Sequence, residues 1–473
     1  MVGWVSLKTV IIMLLLSFLL LSSYFDTYIN ARRSKHWKEK GVSPSSSKGK
    51  TTRYHHHGHH GHSGHHGHSG HQHRQNLGPI ASPNLDHAPE KHQPPSYPPF
   101  MQPEIFNVLD FGAQGDGDSD DTKAFQETWE EACKLKGSTM VVPSDYTFLL
   151  DGSIIAPTNA KAWGSSGVRQ WLEFRETKGI SVCGNGNIDG RGSGWWRRST
   201  MSKLEYDPAV RFYQSYKAMV SGITIQNSPQ FHLKFDNCVG VEVYNITISS
   251  PGESTNTDGV HLQNSKDVSV HHSQLGCGDD CISIQTGCSN VNIHHVSCGP
   301  GHGISIGGLG RDNTKACVSN ITVQNIKFRE TMTGVRIKTW QGGSGSVKNV
   351  RFSNIQMEQV KIPIIIDQFY CDKRKCKNLT AAVELSDITY ENIKGTFTVR
   401  PMQFACSDGF PCSEISLDQI QLQPLYRKRY HLRQVFCWQA FGFLRSEIDP
   451  PIECLQNGKP MISTIQSDLD SCW

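Results

Sequence analysis

Seven segments of one pattern punctuate the chain: Val241–Ile246 (VEVYNI), Val268–His272 (VSVHH), Val291–Val296 (VNIHHV), Ile321–Ile326 (ITVQNI), Val350–Ile355 (VRFSNI), Ile388–Ile393 (ITYENI) and Ile415–Ile420 (ISLDQI). Each alternates apolar with polar residues, the period-two signature of a strand with one buried face, and most end on Asn or a similar polar residue suited to a turn followed by Ile or Val. Their starts lie roughly 23 to 38 residues apart, within the range of solenoid repeats. One such strand cannot bury its apolar face alone. Stacked coils join those faces into a continuous core, and asparagines at successive turns can pair with one another. Helix signals are sparse beyond residue 135, so the pattern predicts an all-β, right-handed parallel β-helix. A propeller would need a more even period of about 40 to 50 residues and a blade signature.

Ahead of the repeats, Phe106–Ala113 (FNVLDFGA) reads as a strand followed by a Gly/Asp turn. Asp120, Asp121 and Thr122 then offer N-caps to an amphipathic helix through Ala124, Phe125, Trp129, Ala132 and Cys133. Such a helix would cap the open N-terminal end of the solenoid. The folded body is expected to span 101–473 as one domain.

The first hundred residues differ in kind. An apolar run from Val10 to Leu21 follows Lys8 and has the length of a signal-peptide core, so residues 1–25 read as a signal peptide. Arg32, Arg33, Lys35, Lys38 and Lys40 on its far side favour the alternative of a signal anchor. Residues 26–100 are rich in His, Gly, Ser and Pro and poor in aliphatic residues, as in a disordered linker. Within it, His55 to His73 holds half of the 22 histidines. A solvated spacer is the plain reading of that tract; weak binding of divalent metal and a pH-dependent tether to a polyanion are the functional ones.

Fifteen cysteines suit an oxidising compartment. Their spacing suggests pairing of Cys281 with Cys298, Cys371 with Cys376, Cys406 with Cys412 and Cys437 with Cys454, and the odd count leaves at least one thiol over. Asn245, Asn320 and Asn378 begin glycosylation sequons. No CxxC pair has zinc spacing, so no metal site is expected. A net charge of +4 gives no general basic field, which argues against nucleic acid as a partner.

Four polar clusters carry the chemistry: Asn256-Thr257-Asp258, Gly278-Asp279-Asp280, Gly301-His302-Gly303 and Arg336-Ile337-Lys338. Hydrolysis of a glycosidic bond with inversion needs one protonated carboxyl for the leaving oxygen and one carboxylate to activate water. Asp258, Asp279 and Asp280 supply candidates, and crowding raises the proton affinity of one of them. Gly-Asp-Asp by itself is an ordinary turn sequence; its order among the other clusters gives it weight. The turn Gly276-Cys277-Gly278 is expected to bend the chain so that both neighbouring aspartates reach one cleft. His302, flanked by glycines, would orient or tune a carboxylate. Strand alternation puts Arg336 and Lys338 on one face, where a solubility role is the bland reading and a uronate carboxylate the sharper one. Asp367 and Tyr370 follow an apolar strand, with Tyr370 able to meet a sugar or simply pack.

These motifs, together with Phe106–Ala113, Gly115-Asp116-Gly117 and the segment 184–192 (GNGNIDGRG), resemble the polygalacturonases of glycoside hydrolase family 28, in particular the plant branch, from about Phe106 to Cys454. The resemblance implies a secreted, cell-wall enzyme that hydrolyses α-1,4-galacturonan in pectin with inversion. Asp279 would be the general acid, Asp258 with Asp280 would activate water, and His302 would support the protonation state of the acid. Arg336 and Lys338 would hold galacturonate, and Asn256 and Tyr370 would make further contacts. No cofactor or metal is implied, and the mature chain is expected to be a monomer without a membrane segment. Alternatives are a hydrolase of another pectic polymer such as rhamnogalacturonan, a β-helix lyase, and a wall-binding protein without turnover.

Overall fold

The computed structural model describes residues 104–460 and Cys472, apart from 116–118, 136–137, 143–146, 159–170, 200–207, 372–375, 377 and 427–430. The signal segment, the linker and the histidine tract lie outside the described residues. Every strand pairing is parallel. The chain winds as a right-handed parallel β-helix; its described strands form a ten-stranded sheet, a nineteen-stranded sheet and a two-stranded sheet that pairs Ile105–Asn107 with Thr139–Val141.

The ten-stranded sheet comprises β1 (Leu172–Arg175), β2 (Val210–Tyr213), β3 (Leu233–Asp236), β4 (Val260–Gln263), β5 (Ile282–Ile284), β6 (Ile304–Leu309), β7 (Thr333–Trp340), β8 (Ile362–Tyr370), β9 (Met402–Ala405) and β10 (Phe436–Trp438). They pair in chain order, one strand per coil.

Inward residues of successive coils stack in register, as the repeats predict. One ladder runs Val220, Val243, Val270, Ile293, Val323, Phe352, Tyr390 and Leu417. Each of these side chains is sealed from solvent, and burial of a residue of this size stabilises by about 1.5–3 kcal/mol. The expected asparagine pairing is present at one corner: Asn290 donates to Asp267, Asn320 to Asn290 and Asn349 to Asn320, at 2.7–2.9 Å. Asn320, a sequon residue, therefore has its amide committed on both sides.

At the N-terminal end the expected strand is shorter than its sequence suggests. Only Ile105–Asn107 is extended, and Val108–Phe111 forms a 3-10 turn whose start is capped by Asn107 Oδ1 accepting from Leu109 N at 3.0 Å. The cap helix α1 covers Thr122–Lys134. Its buried face is Ala124, Thr128 and Ala132, while Trp129 and Cys133 are exposed. Thr128 escaped the apolar reading because its hydroxyl is satisfied within the helix, donating to Ala124 O at 2.6 Å. Asp121 occupies the N-cap position, yet its carboxylate accepts from Gln114 N and Gly115 N instead of capping α1. Phe125 meets Phe148 edge-on at 5.1 Å, which opens an aromatic column through Phe174, Phe212 and Phe235. In this way α1 covers the first coil.

All four expected disulfides form, and a fifth joins Cys317 to Cys472 across 155 residues. Cys133, Cys183, Cys238, Cys277 and Cys288 are free thiols. No helix among the described residues is long and apolar enough to cross a membrane.

Candidate active site

Asp258, Asp280 and His302 each stand two residues before the start of a strand, β4, β5 and β6 respectively. Parallel pairing of those strands therefore stacks the three positions in consecutive coils, and Gly259 N donates to Asp280 O at 2.9 Å across the first step. Neither Asp279 nor Asp280 lies in a strand, as expected of the turn ahead of them. That turn is fixed by contacts the motifs did not announce. Thr257 Oγ1 accepts from Gly278 N at 2.9 Å, and a Cβ on Gly278 would lie 1.8 Å from Ser254 O. Glycine is required there by close approach. The Cys281–Cys298 disulfide pins the chain immediately after Asp280.

Asp279 and Asp280 have different surroundings. Asp279 keeps 22% of its side chain exposed, and its Oδ1 is 2.9 Å from His302 Nδ1. Asp280 is sealed. Its Oδ1 accepts from Ser305 Oγ at 2.8 Å and Arg336 Nη2 at 2.6 Å, and its Oδ2 accepts from Lys338 Nζ at 2.9 Å. Arg336 Nε also donates to Ser305 Oγ at 2.9 Å. Burial opposes ionisation of Asp280, but the adjacent Arg336 and Lys338 charges outweigh it and hold the carboxyl below the usual carboxylate range. Arg336 and Lys338 do share one face of β7, as alternation predicts, yet both are buried rather than solvated. Ser305 was missed, because a serine in a strand gives no signal until the register sets it beside Arg336.

Asp258 is the opposite case. Burial, then the negative charges of Asp279 and Asp280, raise its proton affinity well above the ordinary carboxyl value. Its Oδ2 lies 2.9 Å from His261 Nδ1, and His261 stacks on Phe231 with ring centres 4.0 Å apart. Burial, then the Lys234 charge, lowers the His261 pKa to about 3, so this ring is a neutral partner. His261 was also missed, since it sits in the strand after the motif and reaches back to it.

Among the remaining expected residues, Tyr370 is half-buried with its ring centre 5.4 Å from Lys338 Nζ and 5.1 Å from the Trp340 ring. Asp367 pairs in register with Lys338, and burial raises its pKa. Asn256 is exposed and adopts φ 55°, a conformation that asparagine tolerates. One ligand atom each from Asp279, Asp280 and His302 fall within 4.8 Å of one another. A cation placed among them would sit beside Arg336 and Lys338, which already occupy both oxygens of Asp280.

Residues 126–434 match the profile of glycosyl hydrolases family 28. The chain is 40% identical over 346 residues to a polygalacturonase of Cryptomeria japonica, covering 67% of each. It is 39% identical over 342 residues to polygalacturonase-2 of Solanum lycopersicum, covering 67% of this chain and 75% of that one. In fold it is similar to the polygalacturonase of Erwinia carotovora, with a TM-score of 0.55 at 24% identity over 72% of this chain and 99% of that one. An endo-xylogalacturonan hydrolase from Aspergillus tubingensis gives 0.54 at 19% identity, over 71% and 96%. By its matched profile and its plant relatives, the chain belongs to family 28 of the glycosyl hydrolases.

Proposed function

We propose that this protein is a secreted polygalacturonase that hydrolyses α-1,4-galacturonan of pectin in the cell wall with inversion at the anomeric carbon. The observation that carries the reading is the convergence of Arg336 and Lys338 on the same point as three carboxylates. Asp280 and Ser305 take only some of the donors of Arg336 and Lys338, and a uronate carboxylate matches the remaining ones better than a neutral hydroxyl does. The names of the plant relatives point the same way.

Asp279 is the general acid in this proposal. It is the carboxyl of the trio that retains exposure. A saccharide seated in the site would reach this carboxyl and displace water from it. Asp280 stays ionised and is the base. Its Oδ1 already accepts two hydrogen bonds but Oδ2 only one, which leaves an acceptor site for the attacking water. As that water adds to the anomeric carbon, Asp280 takes its proton and Asp279 donates one to the departing O4, so the acid and base states are exchanged once per bond. Asp258, whose carboxyl its surroundings keep protonated, assists by holding that water through a hydrogen bond, and His302 steadies the Asp279 carboxyl.

Release of reducing ends from demethylated polygalacturonate near pH 5 tests the reading, with viscosity followed in parallel and Asp279→Asn as control. Turnover by the wild type and its loss in Asp279→Asn are expected. Rapid viscosity loss at low bond cleavage marks endo action, and accumulating monomer marks exo action. No turnover on polygalacturonate with turnover on rhamnogalacturonan would move the substrate, and an ultraviolet-absorbing unsaturated product would replace hydrolysis with elimination.

A further inference from the structure

Far from the four motifs in kind, two rungs of the nineteen-stranded sheet end in paired histidines. His271 closes the strand Lys266–His271 and His294 closes Ser289–His294; the two rings stack at 4.8 Å with an interplanar angle of 1°. His272 and His295 follow at the corner and stack at 4.8 Å and 3°. Within each rung the two rings stand perpendicular, with Nδ1 atoms 2.8 Å apart in one pair and 2.9 Å apart in the other.

The fold does not require histidine at these places. The next coil has Gln324 and Asn325 there, in register with His294 and His295. Asn325 adopts φ 56°, close to the 49° of His272 and 54° of His295. Asparagine fills this left-handed position at lower strain than most residues. Four histidines in two consecutive coils therefore need another reason.

We propose that each pair is a two-nitrogen chelate for copper(II) on the outer surface of the β-helix. Two nitrogens at this separation subtend an angle near 90° at an ion bound at about 2.0–2.1 Å, the cis angle of a tetragonal site rather than the tetrahedral one that zinc prefers. The two rungs are too far apart for one ion to bond all four rings at such lengths, so the pairs act separately. Glu242 supplies the outer support: its Oε1 is 3.3 Å from His271 Nε2. A proton held on Nε2 by that carboxylate leaves His271 Nδ1 as a free donor. His272 then carries its proton on Nδ1 in the metal-free pair and moves it through solvent to Nε2 when copper takes its place. His272 and His295 are exposed, so an ion has access.

The test uses the full chain with the histidines of residues 55–73 replaced by serine, so that the N-terminal tract contributes no ligand. Copper(II) titration is followed by electron paramagnetic resonance and by calorimetry, with nickel(II) and zinc(II) in parallel. Copper binding with nitrogen hyperfine structure, tighter than zinc, is expected. The change His271→Gln, His272→Asn, His294→Gln and His295→Asn copies the next coil and should abolish it without altering melting temperature or hydrolysis. Should that variant fold poorly, Glu242→Gln leaves all four rings in place and is expected to weaken the His271/His272 site by roughly 10- to 100-fold while the His294/His295 site keeps its affinity, so that one of two equal binding steps is displaced. Copper binding unchanged in either folded variant, or zinc bound as tightly as copper, would overturn the proposal, as would no copper binding by the parent at micromolar ion.

Discussion

Arg336 Nη2 sits 2.6 Å from Asp280 Oδ1, and the two side chains are 9% and 2% exposed. This is a buried ion pair completed by Lys338 on the second oxygen. Its geometry fixes the charge state of Asp280, and with it the direction in which the proposed chemistry runs.

Removing one member of that pair exposes its cost. Arg336→Ala leaves Asp280 buried with Lys338 alone and is expected to lower stability by about 3–5 kcal/mol at neutral pH. The Asp280 contribution is present above the unfolded carboxyl pKa and is lost as pH falls through its depressed folded value. In Arg336→Ala the acid limb should therefore move to higher pH. Urea midpoints between pH 3 and 7 measure both effects.

Asp258 carries the opposite sign. Its folded pKa is raised, so its contribution is present below the unfolded carboxyl pKa and is lost as pH rises through the folded value. Asp258→Asn should raise the melting temperature at pH 7 and change little at pH 4, while hydrolysis falls by about 100-fold or more. Equal melting shifts at both pH values would contradict the raised pKa. Calorimetry at the two pH values and initial rates on polygalacturonate decide it.

His232 is sealed in the core, with Nδ1 2.9 Å from Asp258 O and Nε2 2.7 Å from Ser250 Oγ. Burial lowers its pKa to about 4. The unfolded chain binds a proton near pH 6.5 that the folded chain refuses, so stability should fall as pH drops from 6.5 towards 4, by about 1.4 kcal/mol per pH unit. His261 adds a similar slope that continues to about 3. His232→Gln is expected to flatten the dependence in denaturant titrations, whatever its effect on absolute stability.

The Cys317–Cys472 bridge ties the C-terminal end to the strand Lys315–Arg329. Cys472→Ser releases a constraint on a long loop and should cost roughly 2–4 kcal/mol. The variant should be cut by protease near the C-terminus before the helix body, which mass spectrometry of early digestion products reads directly.

The repeats made the solenoid legible because alternation and turn residues are local signals, and each strand carries its own copy. The cap helix was legible for the same reason, although Trp129 faces solvent and Thr128 does not: an internal hydrogen bond lets a threonine be buried as readily as an alanine. Four disulfides could be inferred because their partners lie 5 to 17 residues apart. The fifth spans 155 residues, a distance over which spacing has no meaning.

By itself the sequence determined the coil, the side of each strand that is buried, and the four clusters that meet along one face. The tertiary structure alone decided how the three aspartates differ. Asp258, Asp279 and Asp280 are chemically identical in the chain, and their protonation depends on burial and on charges brought near by coil register. Ser305 enters the site by the same route, since a partner 25 residues away in sequence becomes a neighbour only when parallel strands stack, whereas His261 reaches back three residues to Asp258 from inside the next strand. Local side-chain pattern is written residue by residue; electrostatics is a property of distance and dielectric, and both exist only once the coils are wound.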